Sequence, residues 1–226
     1  MNSNVNLTAA DGHQFDAYVA STGDPPHAAI VLIQEIFGVN KHIRSVANDY
    51  AAQGFLVIAP ALFDRAERNL ELTYEPADMT KGMNAAMKVG PEAALKDVAA
   101  SIRHARSEFD KVKVGVLGYC FGGTLAWLAA TRLDPDVAVG YYGGRIAQFA
   151  TETPRCPVML HFGANDQHIP VSEIRKIKNA HPDLPLFMYE AGHGFNCDQR
   201  RDYNRAAATL ARERTLDFLR EHLSES

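Results

Sequence analysis

Six short, nearly continuous apolar runs, separated by helix-forming stretches, constrain the fold of this chain more than any other feature. They are Ala28–Ile33, Phe55–Ala59, Val112–Leu117, Val137–Tyr141, Val158–Phe162 and Leu186–Tyr189. Apart from Lys113 they contain almost no charged residue, unlike a strand with one wet face, so each suits a parallel strand covered on both sides. Helices are expected over residues 41–53, 91–109, 121–132, 171–180 and 203–223. Strand and helix in such succession favour right-handed crossovers and a mostly parallel central sheet flanked by helices. Val5–Thr8 and Gln14–Ala20 flank the turn Ala10-Asp11-Gly12 and read as an N-terminal antiparallel hairpin at the sheet edge. Residues 64–90 are polar, contain Pro76 and lack clean periodicity, which predicts a loop or irregular helix over the functional edge. The expected organisation is one α/β domain over residues 1–226, with no separate cap domain.

Charge and cysteine usage narrow the function classes. The formal net charge of −4 comes from interspersed acids and bases, so neither nucleic acid nor an anionic membrane is an expected partner. No apolar stretch approaches the roughly 20 residues needed to span a bilayer, and the N-terminus lacks the pattern of an export signal, so a cytoplasmic protein is expected. Cys120, Cys156 and Cys197 are odd in number and widely spaced, which suits a reducing compartment and makes no disulfide framework. The nine histidines form no HxxxH or HExxH grouping, so no metal site is expected.

The run ending at Leu117 leads directly into Gly118-Tyr119-Cys120-Phe121-Gly122-Gly123 and then into the good helix former Thr124–Ala130. Strand, sharp turn and helix around a central nucleophile, with small residues two before and two after it, is the pattern of a nucleophile elbow. This makes the fold expectation an α/β-hydrolase. Such a turn exposes Cys120 at the carboxyl edge of the sheet, beside a helix N-terminus that favours an anion. The bland alternative for Cys120 is a small buried hydrophobe after a strand.

In this fold the chain order is nucleophile, acid, base. Asp166 follows the run Val158–Phe162, and His193 lies in Gly192-His193-Gly194 after Leu186–Tyr189. Asp166 is expected to orient the imidazole, and His193 to take the thiol proton and later activate water. Asp64, Asp110 and Asp198 are alternative sources of the acid, and Asp166 also suits an Asx turn. The first long run ends in Gln34-Glu35-Ile36-Phe37-Gly38. The backbone N–H of Ile36, with that of Phe121, would form an oxyanion hole. Glu35 is either a salt-bridge or capping residue or a second carboxylate that accepts the thiol proton.

These segments resemble the dienelactone hydrolase (carboxymethylenebutenolidase) family, as do His193-Gly194-Phe195 and Glu213–Phe218. The resemblance runs over nearly the whole chain. It implies hydrolysis of a lactone or small ester without a metal or organic cofactor, Cys120, Asp166 and His193 as the triad, and Glu35 controlling thiol ionisation. It also implies an arginine pair holding a substrate carboxylate. No arginine follows His193 closely, so Arg65, Arg68 and Lys81 are the candidate cations, with Phe37, Tyr119, Phe195 and Cys197 as further pocket residues. The competing readings are a broad carboxylesterase or thioesterase, and a non-catalytic redox sensor built on Cys120. A monomer and a homodimer are both compatible with the sequence.

Overall fold

The structure, a computed structural model, describes residues 2–109 and 111–224. One eight-stranded sheet runs through it in the order β1-β2-β4-β3-β5-β6-β7-β8. The strands are β1 (Asn2–Thr8), β2 (Gln14–Ala20), β3 (Ala28–Ile33), β4 (Phe55–Pro60), β5 (Val114–Tyr119), β6 (Val137–Tyr141), β7 (Val158–Gly163) and β8 (Leu186–Tyr189). The first two form the expected hairpin, which joins the sheet antiparallel to β4. Every other pairing is parallel. Strands β3, β4, β5 and β7 are buried along their whole length, as their unbroken apolar character requires.

The helices are α1 (Lys41–Ala51), α2 (Pro76–Glu108), α3 (Phe121–Arg132), α4 (Val171–Ala180) and α5 (Arg205–Leu223). Of the polar stretch expected as a loop or irregular helix, residues 76–90 are the first half of α2, so the helical alternative holds there. Pro76 starts that helix at its first turn, where proline loses no hydrogen bond, and only Gly82, Ala85 and Val89 of this half are buried. So small an apolar stripe leaves little periodicity to read. Gly90, at φ 66°, and Pro91 then break the helix before its second half. Strand β5 also begins two residues later than expected, because its register sets Val114 opposite Ala29 and Gly118 opposite Ile33.

Two features position the site. From β3 the chain passes to β4 on one side and returns to β5 on the other, so the order reverses beside β3 and the segments leaving β3 and β5 lie together at the carboxyl edge, the usual place for a site in such sheets. Helix α5 is tied beneath the sheet by a buried polar chain. Tyr141 Oη lies 2.6 Å from Thr215 Oγ1, and His161 bridges Thr215 Oγ1 (3.0 Å) and Tyr189 Oη (2.9 Å). Burial lowers His161 to about 3, so it works there as a neutral imidazole.

Candidate active site

Cys120 sits at φ 56°, ψ −112°, between the end of β5 and the first residue of α3. A non-glycine residue there costs about 1–3 kcal/mol and persists only where its surroundings hold it. The holding contacts are backbone bonds: Cys120 N–H donates to Tyr141 O (3.0 Å) and Gly122 N–H to Gln34 O (3.1 Å). The flanking glycines are demanded by close approach. A Cβ on Gly118 would overlap the Gly122 carbonyl, and one on Gly122 would overlap the Ile33 and Gln34 carbonyls. Gln34 knits the loop further, accepting from Leu62 N–H at 3.2 Å through its side chain.

The loops after β7 and β8 converge on this turn. His193 Nε2 lies 3.2 Å from Cys120 Sγ, and His193 Nδ1 lies 2.7 Å from Asp166 Oδ2. The other Asp166 oxygen accepts from the N–H groups of His168 (2.7 Å) and Ile169 (3.2 Å), so the Asx-turn role and the histidine contact coexist. Burial alone would raise the Asp166 carboxyl. The His193 bond and the two backbone donors outweigh it and hold the group below the ordinary range. Burial pulls His193 down, but attraction to Cys120 and the Asp166 bond push it up to about 10.

The alternative acids have other work. Asp64 accepts from the N–H groups of Asp16 and Asn69, and the exposed Asp198 faces His42. Asp110 lies outside the described residues.

Glu35 is fully buried two residues past β3. Its carboxylate bonds are to Tyr74 Oη, which donates at 3.1 Å, and to Arg200 Nη1 at 3.4 Å. The thiol's partner is His193. Arg200 is a buried cation beside Glu35 that the sequence reading did not single out. It lies seven residues past His193, and the loop folds back so that its guanidinium sits over the rings of Phe37 (5.9 Å) and Tyr74 (6.0 Å). Gly194, at φ 76°, makes this possible, because a Cβ there would collide with the Arg200 guanidinium. Burial disfavours the charge on Arg200, but Glu35 and Cys120 more than compensate and hold its pKa above the usual value.

The three cations expected to clamp substrate are engaged elsewhere. Arg65 makes two bonds to buried Asp97 (2.7 and 2.8 Å) and others to Asp11, Arg68 donates to Gln14 O, and Lys81 pairs with Glu67. Two of the expected pocket residues also belong to the core. Tyr119 packs on Tyr141 (4.7 Å between ring centroids), and Phe195 is enclosed by Tyr141, Tyr142 and Tyr189. Phe37 is buried beneath Tyr74 and Arg200. Cys197 is buried close to Glu35 and Tyr74, and burial reinforced by Glu35 pushes its thiol up to about 12. Phe121 directly follows Cys120 as the first residue of α3, and its N–H has no partner within the helix.

The profile of the dienelactone hydrolase family matches residues 15–223. The chain belongs to this family. It is 36% identical over 225 residues to a carboxymethylenebutenolidase of Pseudomonas putida, covering 95% of this chain and 94% of that one. A carboxymethylenebutenolidase of Cupriavidus pinatubonensis is 31% identical, with 97% of each chain covered. The crystal structure of a putative dienelactone hydrolase from Klebsiella pneumoniae superposes with a TM-score of 0.81 at 26% identity, covering 96% of this chain and 98% of that one. The fold is that of the α/β-hydrolases, and the chain is a hydrolase of ester or lactone bonds. Among the described residues no helix is long and apolar enough to cross a membrane.

Proposed function

We propose that this family member hydrolyses a carboxylate-bearing lactone, of the enol-lactone type that carboxymethylenebutenolidases are named for, through a thioacyl intermediate on Cys120. The observation that carries the reading is the chain of contacts from Cys120 Sγ through His193 to Asp166, at 3.2 and 2.7 Å. His193 Nε2 takes the thiol proton while Asp166 holds Nδ1–H in the productive tautomer. The thiolate attacks the carbonyl carbon, and the N–H groups of Ile36 and Phe121 stabilise the oxyanion. The ring C–O bond then breaks, its oxygen recovers the proton from His193, and the acyl group remains on sulfur. A water deprotonated by His193 attacks the thioester, releasing the opened acid and the thiol.

Arg200 supplies the substrate preference. A substrate carboxylate is a natural partner for a buried guanidinium, and binding there exchanges with the 3.4 Å contact to Glu35. Glu35, once released, becomes a second base for the Cys120 proton. Incubation with an aryl ester or lactone, followed by acid quench and peptide mass spectrometry, tests the mechanism. An acyl adduct on the Cys120 peptide supports it, and full activity in Cys120→Ala overturns it. One observation favours a broader ester or thioester range: Arg65, Arg68 and Lys81, the cations expected to share a clamp, are all engaged with other protein groups. A kcat/KM ratio near one between a carboxylate-bearing lactone and its methyl ester would select that reading.

A further inference from the structure

Beside Glu35 lie two buried donors, His42 and Cys197, that the hydrolytic chemistry does not use. Ligand atoms of Glu35, His42 and Cys197 all lie within 4.8 Å of one another, and all three residues are buried. Carboxylate, imidazole and thiol together are a donor set for a borderline-soft dication, and three protein ligands with an open fourth position are a recognised zinc geometry. A second observation points the same way. His42 Nδ1 lies 3.3 Å from Asp198 Oδ1, while its Nε2 is buried with no hydrogen-bond partner. A carboxylate on one imidazole nitrogen, with the other left free, is the arrangement that orients a metal-ligating histidine. The loop carrying Cys197 is held by tight backbone bonds, Cys197 N–H to Gly194 O (2.9 Å) and Arg200 N–H to Cys197 O (3.1 Å).

We propose that Glu35, His42 and Cys197 form a binding site for a zinc-class divalent cation, and that filling it silences the enzyme by withdrawing Glu35. The second half rests on the reading that Glu35 acts on Cys120. Tetrahedral zinc sets its ligands about 3.4–3.8 Å apart, so side-chain rotations of about 1 Å close the site. Cys197 loses its proton to solvent as its sulfur binds, which releases one proton per ion and offsets two of the cation's charges with the Glu35 carboxylate. Arg200, joined to Glu35 by one long contact, is displaced. The spacing 35, 42 and 197 matches no linear zinc motif, which is why the sequence offered no sign of the site.

The test is a cobalt(II) titration of the reduced protein, read by thiolate-to-cobalt charge-transfer absorption and by proton release. Parallel titrations use Cys197→Ser, His42→Gln and Cys120→Ser, each shown to be folded by its melting temperature. One ion per chain with a charge-transfer band that survives Cys120→Ser but falls at least tenfold in affinity in the other two variants is the expected result. No band, or a band lost in Cys120→Ser, overturns the site, the latter by assigning the metal to the Cys120–His193 pair. Activity is then measured with zinc chloride and after chelation. Wild type is expected to lose activity in step with occupancy, while Cys197→Ser keeps the activity it has when chelated. Undiminished turnover in the fully loaded wild type overturns the silencing and the role of Glu35 on Cys120, and leaves the binding site standing.

Discussion

Replacing Arg200 by Met isolates what the buried guanidinium contributes. At an N···O distance of 3.4 Å the gross attraction to Glu35 is about 5 kcal/mol at an effective dielectric near 20. Desolvation of both groups offsets roughly half of this, leaving a coupling of about 2–3 kcal/mol. Arg200→Met leaves the Glu35 carboxylate with Tyr74 alone, and for a chain of this size the loss corresponds to a melting temperature lower by roughly 5–10 °C. Glu35→Gln removes the opposite charge, so the double variant is expected to recover most of the loss. Urea denaturation of wild type, the two single variants and the double variant closes a double-mutant cycle. The same proteins, assayed on a carboxylate-bearing lactone and its methyl ester, read the catalytic side. Arg200→Met is expected to lower kcat/KM for the anion by about 30- to 150-fold, the equivalent of 2–3 kcal/mol, and for the neutral ester by less than about threefold. Additive stability changes, within about 0.5 kcal/mol, would refute the pairing, and equal losses on both substrates would refute the anion preference.

Asp166→Asn is expected to reduce kcat by about 10²- to 10⁴-fold with little change in KM, because the imidazole loses its orienting acceptor. Stability should follow pH in a defined way. The Asp166 carboxyl is depressed in the folded protein, so its contribution is present above the ordinary carboxylate pKa and lost as pH falls below it. The urea midpoints of wild type and Asp166→Asn should therefore converge in acid. His193 is raised to about 10, so its contribution is complete below the unfolded histidine pKa and lost as pH rises through about 10. Midpoints of wild type and His193→Gln should converge above that pH. Tyr74→Phe removes the 3.1 Å bond to the Glu35 carboxylate and should cost about 1.5–3 kcal/mol by urea unfolding. Gly122→Ala places a Cβ onto the Ile33 and Gln34 carbonyls and should lower the melting temperature by at least about 10 °C, or abolish soluble expression.

The elements legible in the sequence are those whose signal is local. Strands β3 to β7 could be read because full burial on both faces leaves almost no polar positions, the half-exposed edge strand β8 because its short run is apolar all the same, and α3 and α4 because their ends coincide with clear punctuation. Cys120, Asp166 and His193 each follow a strand end marked by glycine or a tight turn, and a parallel sheet sends all such ends to one edge. Their identity as neighbours was therefore implicit in the topology. The first half of α2 was not legible, since a helix that buries so few side chains carries almost no period.

What only the tertiary structure decided is where the cations went. Arg65 has the charge and chain position expected of a substrate clamp, but Asp97 and Asp11, 32 and 54 residues away in sequence, bind it instead. Arg200 stands at no motif position. It reaches Glu35, 165 residues away, because Gly194 clears its path and burial rewards the pairing of opposite charges. Local sequence thus determines the nucleophile turn through sterics and backbone hydrogen bonding. The arrangement of charges around it depends on distances between residues far apart in the chain, which only the closed fold sets.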